Sequence, residues 1–150
     1  MKIEIQNDQI VQAVNLLFNL PLKGKQSRHR TKFITLLEKR LKEVNEDQLV
    51  IVKEHAHLDE DGEPKKVEND TKWDIKDENL EQFGKEIDEL YEERYVIEGG
   101  NKTDYLITLK SILDECQEEF RGQKAMTYDM LCDLFEEEEE TQKTETKTEE

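Results

Sequence analysis

Apolar residues fall at helical spacing in four or five stretches of this chain, and the stretches are separated by turn-forming residues. Ile10, Val11, Val14, Leu17 and Phe18 share the face of a first helix, which Asn7 or Asp8 can cap and Pro21 prevents from continuing. Gly24 opens a longer second helix, with Ser27 as its expected N-cap. Phe33, Leu36, Leu37, Leu41 and Val44 continue it, and Leu49, Val52 and Ala56 extend the stripe to an end near Leu58. A buried strand over Leu49–Val52 is the rival reading, because so short a run has no decisive period. The dense Glu and Lys content on both sides favours helix.

Asp59 to Pro64 reads as a turn, and Lys65 to Ile75 as an irregular loop or small hairpin anchored by Val67, Trp73 and Ile75. Asp77 can cap a third helix that carries Leu80, Phe83, Ile87, Leu90 and Tyr91 on one face. Thr103 can cap a fourth with Leu106, Leu109, Ile112, Leu113, Cys116 and Phe120 inside, ended by Gly122. Met126, Met130, Leu131, Leu134 and Phe135 suggest a fifth; they are expected to close the core, a partner-facing surface being the alternative. Lys2 to Ile5 alternates polar and apolar residues as a short strand does, and Tyr95-Val96-Ile97 is a second candidate, closed by the Gly99-Gly100 turn. The expected architecture is therefore mainly α. It comprises a single domain over residues 1–135, with four to five helices and a minor β element, followed by an acidic tail at 136–150. That tail, disordered or a fraying helical extension, holds eight Glu, two Lys and no apolar residue.

Composition tests this picture. The chain is 34% hydrophobic and 40% charged, against about 25% charged in a typical domain. Low hydrophobicity with high net charge is a signature of disorder, but the periodic placement of the apolar residues argues for a folded chain. No apolar run approaches the ~18–20 residues that span a bilayer. The first residues lack the apolar core of a secretory signal. Cys116 and Cys132 are expected as reduced, partly buried thiols. These features together point to the cytoplasm.

Charge is the most informative feature. Between Leu22 and Lys42 the chain carries Lys23, Lys25, Arg28, Arg30, Lys32, Lys39, Arg40 and Lys42 against Glu38 alone, a local balance of +7 in a protein of net charge −16. The acidic remainder disfavours direct nucleic-acid binding and anionic membranes. Lys25, Ser27, Arg28, Arg30 and Lys32 cluster at the start of the second helix, where the macrodipole is already positive. Cations there are unfavourable by roughly 0.3–1 kcal/mol each. The functional reading is a contact surface for an anion or an acidic partner. The alternative is that these cations pair with the protein's own acidic helices or tail.

Other chemistries fall away. Gly24-Lys25-Gln26-Ser27 is not a phosphate-binding loop, because Gln26 separates Lys25 from Ser27 and Asn19 stands where an earlier Gly is needed. His55-Ala56-His57-Leu58-Asp59 matches most of the His-x-His-x-Asp-His run of the metallo-β-lactamase fold. Glu60 holds its sixth position, however, and His29 is the one further histidine. On a helix His55 and His57 point about 200° apart, so they are expected as solvent-facing residues at a helix end. Asp59, Asp61 and Asp70 lack the order of a calcium loop. No motif sets a nucleophile beside a base. The expectation is no enzymatic activity, no cofactor and no metal.

Over Leu20-Pro21-Leu22-Lys23-Gly24-Lys25-Gln26-Ser27-Arg28-His29-Arg30-Thr31-Lys32-Phe33 the chain resembles a family. Asp61-Gly62-Glu63-Pro64, Trp73-Asp74-Ile75-Lys76-Asp77 and Tyr95-Val96-Ile97-Glu98-Gly99-Gly100 add to the resemblance. It is similar to small acidic proteins of unknown function encoded by tailed phages and prophages of Gram-positive bacteria, over most of residues 1–135. The resemblance implies a phage origin and a place in the infected cell's cytoplasm or in the virion. The expected function is non-enzymatic interaction with a host or phage protein, in its sharper form steric inhibition of a host defence protein. An assembly role in the tail or lysis programme is one alternative. Acidic DNA mimicry is another, and the basic segment counts against it. The sequence leaves oligomeric state open. On this reading, reversing Arg28 and Arg30 to Glu abolishes partner binding and leaves the far-UV spectrum unchanged.

Overall fold

The computed structural model describes the backbone of residues 1–149 and the side chains through Glu136. In chain order it comprises β1 (Lys2–Gln6), α1 (Ile10–Phe18), α2 (Gly24–His55), β2 (Lys66–Val67) and β3 (Lys72–Trp73). These are followed by α3 (Leu80–Glu92), β4 (Arg94–Glu98), α4 (Asn101–Glu115) and α5 (Gln123–Glu149). The fold is mainly α with two small sheets, as the apolar pattern predicts. The backbone of the expected tail continues as α5 over 136–149, and its side chains beyond Glu136 lie outside the described residues. Contacts divide the chain into two compact units, Met1–Arg40 with Arg94–Glu150, and Leu41–Glu93.

The first unit is built on β1 and β4. They pair antiparallel with Ile3 opposite Ile97 and Ile5 opposite Tyr95. Alternation sends Ile3, Ile5 and Ile97 inward, where all three are buried. Lys2 and Glu4 stand on the other face, and Glu4 meets Arg94 at 3.5 Å. Two strands alone are marginal in water. Here α4 and α5 pack on them and α1 packs on α5. Phe33, Ile34 and Leu37 from α2, Leu106, Leu109, Ile112 and Leu113 from α4, and Leu131 and Phe135 from α5 complete the core.

Several boundaries differ from the expectation. The buried face of α1 is Ile10, Ala13, Leu16 and Leu17, while Val11 and Phe18 are 48% and 69% exposed. The helix is apolar nearly all round, so its pattern does not choose a face. α2 begins at Gly24 with φ +61°, and the Ser27 N–H already bonds to the Lys23 carbonyl. Ser27 therefore lies inside the helix rather than at its cap. The rival strand at Leu49–Val52 is helical, and α2 ends at His55. Ala56 and Leu58 leave it to bridge Ile75 and Pro64. α4 starts at Asn101 after Gly100, not at Thr103, and stops at Glu115. Phe120 thus lies beyond that helix, half-buried, 5.1 Å from the Tyr128 ring.

The second unit has a thin core. Val44, Val52, Ala56 and Leu90 are its buried apolar residues among those described. Polar contacts add to it. The Tyr91 hydroxyl donates to Gln48 Oε1 at 2.7 Å. A backbone ladder follows α2: the His57 N–H bonds to Asp74 O at 2.9 Å, the Lys65 N–H to His57 O at 2.8 Å and the Lys76 N–H to His55 O at 2.9 Å. The expected turn is present, with Asp59 Oδ1 accepting from the Asp61 and Glu63 amides. β2 and β3 form the small hairpin. Its loop holds Glu68, Asn69 and Asp70 at positive φ.

Both cysteines are free, half-buried thiols. Burial pushes the Cys132 thiol up. It also pushes the Tyr128 phenol up to about 12, together with a hydrogen bond to Cys132. The Tyr128 hydroxyl donates to Leu113 O at 2.6 Å and so ties α5 to the end of α4. Its folded pKa lies above the unfolded value of 10.0, so this contribution is complete below that pH and vanishes as pH rises through about 12. Tyr128→Phe is expected to lower unfolding free energy by about 1 kcal/mol at neutral pH, read by urea denaturation. Ultraviolet difference titration of the native chain should show a late-ionising tyrosine that Tyr128→Phe removes.

Candidate functional site

At 100° per residue, Lys25, Arg28, Lys32 and Lys39 fall within about 60° of arc on α2, and Phe33, Ile34 and Leu37 lie across the helix from them. The structure obeys this division. The four cations are exposed and the three apolar residues are buried. The cations make no ion pair or hydrogen bond among the described residues. They form a stripe about 21 Å long. Farther along the same face the helix turns acidic at Glu43 and Glu46.

Four other polar residues of the segment, Gln26, His29, Arg30 and Arg40, are half-buried and reach other elements. Arg30 Nη1 donates to the carbonyls of Leu17 at 2.8 Å, Leu20 at 2.9 Å and Phe18 at 3.4 Å. These are carbonyls at and just beyond the C-terminus of α1, where the regular helical bonds run out; Leu17 O also accepts from the Leu20 N–H at 3.3 Å. A guanidinium suits them because it presents several fixed donors and adds positive charge at the negative end of the dipole. His29 Nδ1 meets Thr108 Oγ1 at 2.7 Å, and its ring stands edge-on to Tyr105 at 5.1 Å. Gln26 donates to Glu115 at 3.1 Å. Arg40 donates to the buried Asn7 at 3.0 Å and lies 5.5 Å over the Tyr95 ring.

The five residues expected at a contact surface therefore separate. Lys25, Arg28 and Lys32 stand together on the outer face, and Lys39 extends them. Arg30 is engaged by α1, and half-buried Ser27 is not the cap of an anion cradle. The partners of the inward arginines are carbonyls, an amide oxygen and a ring rather than carboxylates alone. Sequence reasoning missed these partners because α1's carbonyls carry no side-chain signature.

The second unit holds a cluster that the sequence did not reveal. His55 is not solvent-facing; its side chain is 13% exposed, and Nε2 meets Glu86 Oε2 at 2.7 Å. The ring packs edge-on to Phe83 at 6.1 Å. Gln82 donates to the other Glu86 oxygen at 3.1 Å. Hydrogen bonds from Gln82 and then His55 hold the Glu86 carboxyl below its ordinary value, against the opposing effect of burial. Glu54 brings a third ligand-type atom, and one atom from each of Glu54, His55 and Glu86 lies within 4.8 Å of the others. A groove of about 350 Å³ runs beside them, lined by Asp47, Glu54, Glu86, Glu89 and Glu93 around Val50, Ile51 and Leu90. His57, by contrast, is exposed.

The Met-rich stripe of α5 divides as well. Leu131 and Phe135 close the core as expected, and Met126 is 67% exposed. Met126, Met130 and Leu134 line an open groove of about 380 Å³ with Glu4, Arg94, Asp129 and Asp133. Among the described residues no helix is long and apolar enough to cross a membrane.

Residues 1–145 match the family model described as "Protein of unknown function (DUF1617)". The match runs past residue 135, where the resemblance read from the sequence stops. No curated protein and no solved structure matches the chain.

Arg30 and Arg28 are separable by experiment. Arg30→Ala is expected to lower stability by about 2 kcal/mol, the scale of hydrogen bonds from a charged donor. Arg28→Ala should stay within about 0.5 kcal/mol of native. Chemical denaturation of both variants checks this, and equal losses would refute the division of the segment.

Proposed function

We propose that this chain, which belongs to the DUF1617 family of proteins of unknown function, is a non-enzymatic protein-interaction module that docks on an acidic protein surface. The contact surface is the outer stripe Lys25, Arg28, Lys32 and Lys39. The observation that carries this reading is their lack of partners: four exposed cations stand unpaired among the described residues, in a chain of net charge −16. Carboxylates are abundant in this protein, and none of those described meets them.

Local energetics support the same reading. The first turn of α2 contains no acidic residue. Carboxylates would stabilise that end by about 0.3–1 kcal/mol each, and Lys25 and Arg28 oppose the dipole instead. A chain under selection for stability alone would exchange them. A stripe of like charge at regular spacing accelerates encounter with an acidic surface and sets its register. The partner is a host or phage protein in an infected cell, and occupation of its surface blocks it sterically. The open Met126–Met130–Leu134 groove favours a second reading, an accessory role in particle assembly, because exposed methionines suit an adaptable apolar contact.

The test is a pull-down from host lysate, with and without infection, using the native chain and Lys25→Glu/Arg28→Glu/Lys32→Glu. Arg30 is left intact, because its reversal would disturb α1 as well as the surface. The triple variant is expected to keep the native far-UV spectrum and equal or greater thermal stability. It should lose a partner that the native chain captures, and that capture should weaken as salt rises. Retention of every native partner by the variant would remove the stripe from the contact. Recovery of virion proteins or of the chain itself, unaffected by the variant, would favour assembly.

A further inference from the structure

We propose that Glu54, His55 and Glu86 form a binding site for a divalent cation of the zinc class. The site lies wholly in the second unit and does not depend on the cation stripe.

The donor set points to that class. One imidazole nitrogen and two carboxylates suit zinc and its neighbours, which take three protein ligands and leave a position for water. Magnesium and calcium favour all-oxygen shells. Two helices present the donors: Glu54 and His55 end α2, and Glu86 sits inside α3. In a tetrahedral site with bonds near 2.1 Å, donor atoms lie about 3.4 Å apart. Here His55 Nε2 and Glu86 Oε2 are 2.7 Å apart, sharing a proton, and all three donors lie within 4.8 Å. A cation takes the place of that shared proton. The Glu86 carboxylate withdraws by less than an ångström, and the exposed Glu54 carboxylate moves in from solvent.

His55 Nδ1 is fully buried and has no hydrogen-bond partner among the described residues. A metal held at Nε2 leaves the ring's one remaining proton on that Nδ1. The adjoining carboxylates Asp47, Glu89 and Glu93 raise the local cation concentration. The missing Nδ1 acceptor also limits the site. A ligating histidine usually donates its second N–H to a neighbour, and losing that support weakens metal binding about 10–100-fold. The site is accordingly weaker than one whose histidine is supported from behind, and suited to reversible occupancy.

Isothermal titration of the full chain with zinc chloride tests this, alongside Glu54→Gln, His55→Gln and, as control, His57→Ala. Glu54→Gln removes an exposed donor and leaves the fold intact, which far-UV spectra confirm. One zinc equivalent is expected to bind with at least tenfold lower affinity in both Glu54→Gln and His55→Gln. It should be unchanged in His57→Ala and should persist in millimolar magnesium. Zinc affinity within twofold of native in either of the first two variants would overturn the site, as would displacement of zinc by magnesium.

Discussion

Four residues in ten of this chain are charged, so α2 can commit only one side to the interior, and the first unit follows from which side that is. Phe33, Ile34 and Leu37 enter the core. His29 and Arg30, just before them, reach α4 and the end of α1, and Arg40 reaches Asn7. The cations left over have nowhere to go but outward. The stripe is thus a direct product of the packing, and its lack of carboxylate neighbours is the feature packing does not require.

The two units solve the shortage of apolar residues differently. The first collects its apolar side chains from six elements into one core. The second has few to collect, and relies on backbone ladders after α2, the Tyr91–Gln48 contact and the His55–Glu86 pair. A unit with little buried apolar surface and many solvent-facing backbone bonds opens locally at low free energy. Side chains that meet there are held less rigidly than those around Phe33, which suits a site that must rearrange to take a ligand.

Much of the fold could be read from the chain because its elements are locally specified. The alternation at Lys2–Ile5, the Gly99-Gly100 turn and the apolar spacing of α3 and α4 each carry their own signal. Partnerships between distant residues do not. β1 finds β4 some ninety positions away, and His55 finds Glu86 thirty-one positions on. Neither pairing has a local signature, so His55 was read as a solvent-facing helix end. Ser27 misled for a related reason. It is a good capping residue in a good place, but a glycine with positive φ three residues earlier had already started the helix. In the candidate surface, residue type identified Lys25, Arg28 and Lys32, and helical phase separates them from Arg30. Phase alone does not say that Arg30 would meet the carbonyls at the end of α1.

The order of the chain carries a consequence for synthesis. The second unit is one continuous segment, Leu41–Glu93, set between the two parts of the first. A ribosome delivers it whole while β1 is still waiting for a strand that has not been made. During that interval Ile3 and Ile5 have no sheet, and α1 and the start of α2 have no α4 or α5 to cover them. The first unit can close only after Arg94–Glu98 emerges. Until β4, α4 and α5 are made, the apolar side chains of β1, α1 and the start of α2 stay uncovered, while the second unit is already complete in the chain.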